Sequence, residues 1–193
     1  MNLAMNLAMN LAINLKSLLI LTMIVLSQTG FAKAKVDESA KMADAIQKMD
    51  RNNVTALKSK GVSVNALGVD GLSGLMRSAD DGNKKGVELA LEMGSDLNFA
   101  NQEGETALFY ATYSGHEQVA LDLLKRGAKA DIVLKKNSEC VVHSAAKASL
   151  LKLSRELKKL APQCLKVKNS DGQTPSQIAK DMGSTEIAKV LTP

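Results

Sequence analysis

Three glycines constrain this chain more than any other feature. Gly61, Gly94 and Gly127 stand 33 residues apart, each inside a similar stretch (59–65, 92–98 and 125–131). A second landmark, Gly71 with Leu75 and Gly104 with Leu108, repeats at the same interval of 33. Two independent registers sharing one period predict a row of equivalent units. A unit of that length cannot bury its apolar face alone, so it must stack on its neighbours.

The clearest unit, 101–131, shows what each unit builds. Thr106 is placed to cap a first helix by accepting a backbone N–H. Ala111 is small where neighbouring helices approach. Gly115 and His116 make the turn between two antiparallel helices, and Val119, Leu121 and Leu124 give the second helix apolar positions at helical spacing. Gly127 ends it in a left-handed conformation. The period and these residues resemble the ankyrin repeat, whose pattern runs Gly-x-Thr-Pro-Leu-His, Ala-Ala, Gly-His, Leu-Leu, Gly-Ala-Asp-x-Asn. The resemblance implies an all-α solenoid of helix-turn-helix units with β-hairpin fingers.

On that register, residues 33–193 form one repeat domain. It divides into an N-terminal cap (37–66), repeats at 67–99, 100–132 and 133–168, and a C-terminal cap (169–192) still showing Gly172, Thr174, Pro175, Ala179 and Gly183. The third repeat departs most. Ser138 to His143 stands where Gly-x-Thr-Pro-Leu-His is expected, and the intervals from Phe109 to His143 and from His143 to Gln177 are both 34. Its helix–helix turn lacks Gly-His, and Ala161 with Pro162 replaces the terminal Gly-Ala.

Residues 1–32 read as a secretory signal peptide: Lys16, a short apolar run from Ser17 to Leu26, then small residues at Gly30 and Ala32. The run is about half the ~20 residues needed to span a bilayer, so no stable membrane anchor is expected. The expected location is the periplasm. The tandem of Met-Asn-Leu at residues 1–15 is low-complexity and leaves the start codon open.

Charge is unevenly placed. Residues 33–66 hold seven basic and four acidic side chains, 67–133 six and eleven, and 134–193 eleven and five. An acidic middle beside a basic end steers association with a charged partner, though ordinary solvated helix faces give the same count. Nucleic acid is a poor candidate for that partner, because the basic residues have no aromatic interleaving.

The chain offers little chemistry. Its two histidines, His116 and His143, both fall at structural positions of the repeat, and no metal-ligand spacing or phosphate-cradling loop is present. No cofactor, metal or catalytic residue is expected, and the chain is not expected to be an enzyme. By repeat register Cys140 begins the first helix of the third repeat and Cys164 follows its second, on the same edge. In an oxidising compartment they form a disulfide, or else they are two small buried residues that never bond.

Beyond the signal segment, which holds Phe31, the aromatics are Phe99, Phe109, Tyr110 and Tyr113. Members of the family bind proteins through their fingers and the concave row of first helices. That implies an interface of Tyr110 and Tyr113 with Phe99 near a finger tip, flanked by Arg77, Asp80 and Asp81 on one side and Ser144 and Lys147 on the other, a row that runs from acidic to basic. Packing of the tyrosines on neighbouring repeats is the plainer alternative. The chain also resembles periplasmic ankyrin proteins that protect predatory bacteria from their own peptidoglycan-cutting endopeptidases. A monomeric inhibitor that caps such an enzyme of the penicillin-binding-protein type is therefore expected, with an accessory of an exported catalase as the alternative.

Overall fold

The computed structural model describes residues 37–193; the expected signal segment 1–32 lies outside the described residues. Chain contacts separate a unit ending at Glu38 from one running from Ser39 to Pro193. The second is built entirely of helix pairs and turns. Its first pair is the helical residues 39–47 (α1) and α2, Arg51–Ser59. Then come α3, Gly74–Asp80, with α4, Lys84–Glu92, and α5, Ala107–Tyr113, with α6, Glu117–Lys125. The last pairs are α7, Val141–Lys147, with α8, Leu151–Leu160, and α9, Pro175–Asp181, with α10, Thr185–Val190. The architecture is an all-α repeat solenoid.

Side chains one period apart explain the stack. Ser78, Ala111, Ala145 and Ala179 occupy one position of α3, α5, α7 and α9, and each is fully or almost fully buried. With nothing larger than a hydroxymethyl there, the four inner helices pack directly side by side. Ala90, Leu123, Leu157 and Leu191 make the matching column of the outer layer, all without exposed surface. Burying one leucine in this way stabilises by about 1.5–3 kcal/mol.

The ends of the helices follow the sequence closely. Asp50, Ser73, Asn83, Thr106 and Thr174 each accept a backbone N–H at a helix start. Gly61, Gly94 and Gly127 all take positive φ, between +83° and +93°. The fingers are plainer than β-hairpins. Each closes with one backbone bond, from Gly68, Asn101, Leu134 and Asn169 to Leu72, Glu105, Glu139 and Gln173. Only isolated bridges form, Leu67 with Ser73 and Val133 with Cys140.

The third repeat absorbs its longer period in two places. The finger from Leu134 to Glu139 is one residue longer than the others, and α8 runs on through a 3-10 turn, Pro162–Lys166. Ser138 and Ser149 stand where the other repeats have glycine, at φ +56° and +55°. A serine forced into the left-handed region is strained, so this repeat carries a cost that its neighbours avoid.

Arg77 ties the first finger to α1. Its guanidinium meets Asp70 at 2.8 Å and also pairs with Asp44. Burial pushes the Asp70 pKa up, but the Arg77 hydrogen bond and the Leu72 N–H pull harder, so it lies below the ordinary 3.8. A lowered folded pKa contributes stability above the unfolded value and loses it as pH falls. Asp70→Asn is therefore expected to be less stable than the wild type at neutral pH, by under about 1 kcal/mol because the Asp70 carboxylate is itself exposed to solvent. In melts followed across pH, that gap should close in acid, below the ordinary 3.8.

Candidate functional site

The inner helices present two columns of side chains away from the core. Arg77, Tyr110 and Ser144 share one register; Asp80, Tyr113 and Lys147 share the other. The first column is largely covered. The Arg77 side chain is 11% exposed and held in its two ion pairs. Ser144 is 1% exposed, so it does not line the surface expected of it. A side chain as short as serine is overtopped by its neighbours in the stack.

Tyr110 sits between these extremes. Its hydroxyl donates to Glu105 and accepts from the Asn101 amide at 3.2 Å. Burial, the Glu105 hydrogen bond and the Glu105 charge all hold the phenol proton above its ordinary range, and the Asp80 charge adds to this. The hydroxyl that was expected to meet a partner is engaged within its own repeat.

The second column faces solvent. Tyr113 is 65% exposed, large and apolar where packing does not require it. Phe109, one turn earlier on α5, is half-buried and stacks beneath it, ring centroids 6.0 Å apart and planes at 14°. Tyr110 meets the other edge of Phe109 at 90°. The three rings form one aromatic platform on the inner face of the second full repeat.

Carboxylates border that platform on its N-terminal side. Asp80 accepts a hydrogen bond from the Ser114 hydroxyl, and Asp81 accepts one from the Gln47 amide. Both donors are neutral, and among the described residues no ion pair reaches either carboxylate. An open groove of about 330 Å³ runs beside them, lined by Gln47, Val69, Asp70, Leu72, Arg77, Asp80 and Asp81. Val69, at the finger, is 82% exposed. Nothing in its sequence position marked it.

The C-terminal flank differs from the sequence reading. Lys147 was expected to make that end of the row basic, but it pairs with Glu139, whose own side chain is buried. The row therefore does not pass from acidic to basic; it is acidic beside the platform and neutralised beyond it. Phe99 is half-buried just after the turn at Asp96, before the finger's turn at Asn101–Gly104, not at its tip.

Cys140 and Cys164 are both fully buried, and the structure holds them as free thiols rather than as the expected bond. Cys140 Sγ lies 3.9 Å from the Cys164 carbonyl oxygen and 3.3 Å from His143 Nδ1. The neighbouring Cys164 thiol, and after it His143, pulls the Cys140 pKa down, while the Cys140 thiol and burial push that of Cys164 up. His143 Nδ1 also receives the Cys140 N–H, and Nε2 reaches the Val167 carbonyl. The His116 ring lies over Gly82. Both imidazoles are thus engaged in packing the repeat, and among the described residues no group of His, Cys, Asp or Glu is arranged to hold a metal.

Residues 42–136 match the family model for ankyrin repeats in three copies. The Notch-regulated ankyrin repeat-containing protein of Xenopus tropicalis is 38% identical over 64 residues, 33% of this chain and 56% of that protein. Its Homo sapiens counterpart is 35% identical over 68 residues, 35% of this chain and 60% of that one. Protein fem-1 homolog A-like of Mus musculus is 31% identical over 97 residues, half of this chain but only 14% of that protein. The chain thus spans little more than half the length of its Notch-regulated relatives.

Proposed function

We propose that this ankyrin-repeat chain is an exported binding module whose inner face caps a periplasmic wall hydrolase, shielding the cell's own peptidoglycan without chemistry of its own. One observation carries the binding face: Tyr113, exposed and stacked on Phe109, occupies the inner-helix column without any packing need. Rigid aromatic bodies on a scaffold that does not rearrange are what binding hot spots are made of. The signal-peptide pattern of residues 1–32 supports export. The target, a DD-endopeptidase or carboxypeptidase of the penicillin-binding-protein type, comes from the resemblance to self-protection proteins. Support of an exported catalase is the weaker reading, since the chain's two thiols are fully buried in the folded protein.

The test is an activity assay of purified wall hydrolases from the same genome with the protein added. Stoichiometric inhibition is expected, weakened at least about tenfold by Tyr113→Ala, the cost of losing one aromatic anchor. The substitution is at an exposed site, so the melting temperature should not move. Failure to bind or inhibit any such hydrolase would sink the inhibitor reading.

A further inference from the structure

We propose that the inner face recognises a basic segment of its protein partner, with an arginine or lysine lying over Tyr113 and its charge directed at Asp80 and Asp81. This rests on the reading that the inner face binds protein, and adds the chemistry of what it binds. Three independent features of the face point the same way.

The first is uncompensated charge. Among the described residues Asp80 and Asp81 accept from Ser114 and Gln47, both neutral, while Arg77 in the same groove turns its two terminal nitrogens to Asp44 and Asp70. The second is the platform. A tyrosine ring with an exposed face attracts a cation through its quadrupole, and Tyr113 offers such a face with Phe109 fixing its plane. The two features are adjacent: Ser114, the residue after Tyr113, is the one that donates to Asp80. A guanidinium stacked on the ring would have the Asp80 carboxylate of the preceding repeat on its N-terminal side, so that cation–π attraction and a charge-assisted hydrogen bond can reinforce one another.

The third feature is that the cations nearest the face already have ion-pair partners. Lys147, the only base in the exposed column, is held by Glu139. The same column continues at Asp181, whose donor is the neutral Gln173 amide. Beyond the carboxylates, Val69 supplies an exposed apolar lip to the open groove, suited to an aliphatic residue neighbouring the basic one. An acidic partner surface would meet repulsion here, and a purely apolar one would leave two carboxylates facing it without counter-charge.

The experiment uses the purified protein and three fluorescent nonapeptides of one Gly-Ser background, carrying three arginines, three glutamines or three glutamates. Fluorescence polarisation should show binding of the arginine peptide alone, weakening as salt rises. Asp80→Asn with Asp81→Asn should reduce affinity at least about tenfold while preserving the Ser114 and Gln47 hydrogen bonds, and Tyr113→Ala should do the same. Equal binding of the arginine and glutamine peptides, or no loss in the double asparagine variant, would overturn the proposal. The outcome is separable from the hydrolase reading. Charge-selective peptide binding without hydrolase inhibition would discard the target and keep the surface, whereas inhibition without it would discard the surface.

Discussion

Replacing His143 with alanine is expected to destabilise the array by about 3 kcal/mol, although the imidazole touches no partner surface. The ring is fully buried and bridges two chain segments. Its Nδ1 lies 3.2 Å from the Cys140 backbone nitrogen, which can only donate, so Nδ1 accepts and the ring proton resides on Nε2. That proton is then donated to the Val167 carbonyl at 3.2 Å. One neutral tautomer thereby closes the start of α7 and pins the chain leaving the 3-10 turn. Alanine would leave the buried Cys140 N–H unpaired, at a cost of about 1–3 kcal/mol, and the part-buried Val167 carbonyl without its donor, beside a cavity. Val142→Ala, equally buried and one residue away, removes only apolar volume and should cost less. Urea unfolding of both variants decides the matter: equal losses would mean that the imidazole merely fills space.

How much of this was legible beforehand depended on what each residue type can signal. Gly61, Gly94 and Gly127 announced the helix ends because a left-handed backbone strongly favours glycine. Thr106 and Ala111 were legible for the same kind of reason, the first as a cap and the second as a close-approach residue. Ser138 and Ser149 were not, because nothing in a serine marks it for positive φ. The interval of 34, the missing Gly-His turn and Ala161 with Pro162 marked the third repeat as differently built, but none of them showed which residue would take the left-handed turn.

The candidate site shows the same division. Register placed Arg77, Tyr110 and Ser144 in one column and Asp80, Tyr113 and Lys147 in another, but register alone cannot say which column its neighbours cover. Exposure depends on the size of adjacent side chains and on ion pairs made across repeats. Arg77 reaches back to Asp44 in α1, and Lys147 reaches Glu139 in its own finger. The first pairing spans one period of 33 and the second eight residues, yet the period alone does not tell which side chains along it will meet. Register thus put Tyr110 and Tyr113 on the first helix of their repeat, but neither the stacking of Phe109 against Tyr113 nor the pairing of Lys147 with Glu139 could be read from it.

Oxidation of the Cys140 and Cys164 pair is expected to add about 3 kcal/mol to stability and to raise the melting temperature by on the order of 10 °C. Cys140 Sγ already lies against Cys164, 3.9 Å from its carbonyl oxygen. Oxidised glutathione can serve as the oxidant. Its disulfide is cleaved to two thiols as the two cysteines lose their hydrogens and join. The closed loop of about 25 residues sets the magnitude in the chain-entropy model. Cys140, the thiol whose proton is held more weakly, is the attacking sulfur. Because it is fully buried, the reaction should be slow in the native protein and fast during folding. Melts with and without dithiothreitol, beside Cys164→Ser, measure the effect, and a mass lower by two hydrogens identifies the bond. If the wild type and Cys164→Ser melt alike under oxidising conditions, the pair contributes no staple. The bond would fall where the fold most needs one, since the loop it closes contains the strained Ser149 and Ser138 lies just before it. His143 braces the same two segments, so in the oxidised protein His143→Ala should cost less than in the reduced one. Independent losses in the two states would show instead that the imidazole and the disulfide secure different parts of the repeat.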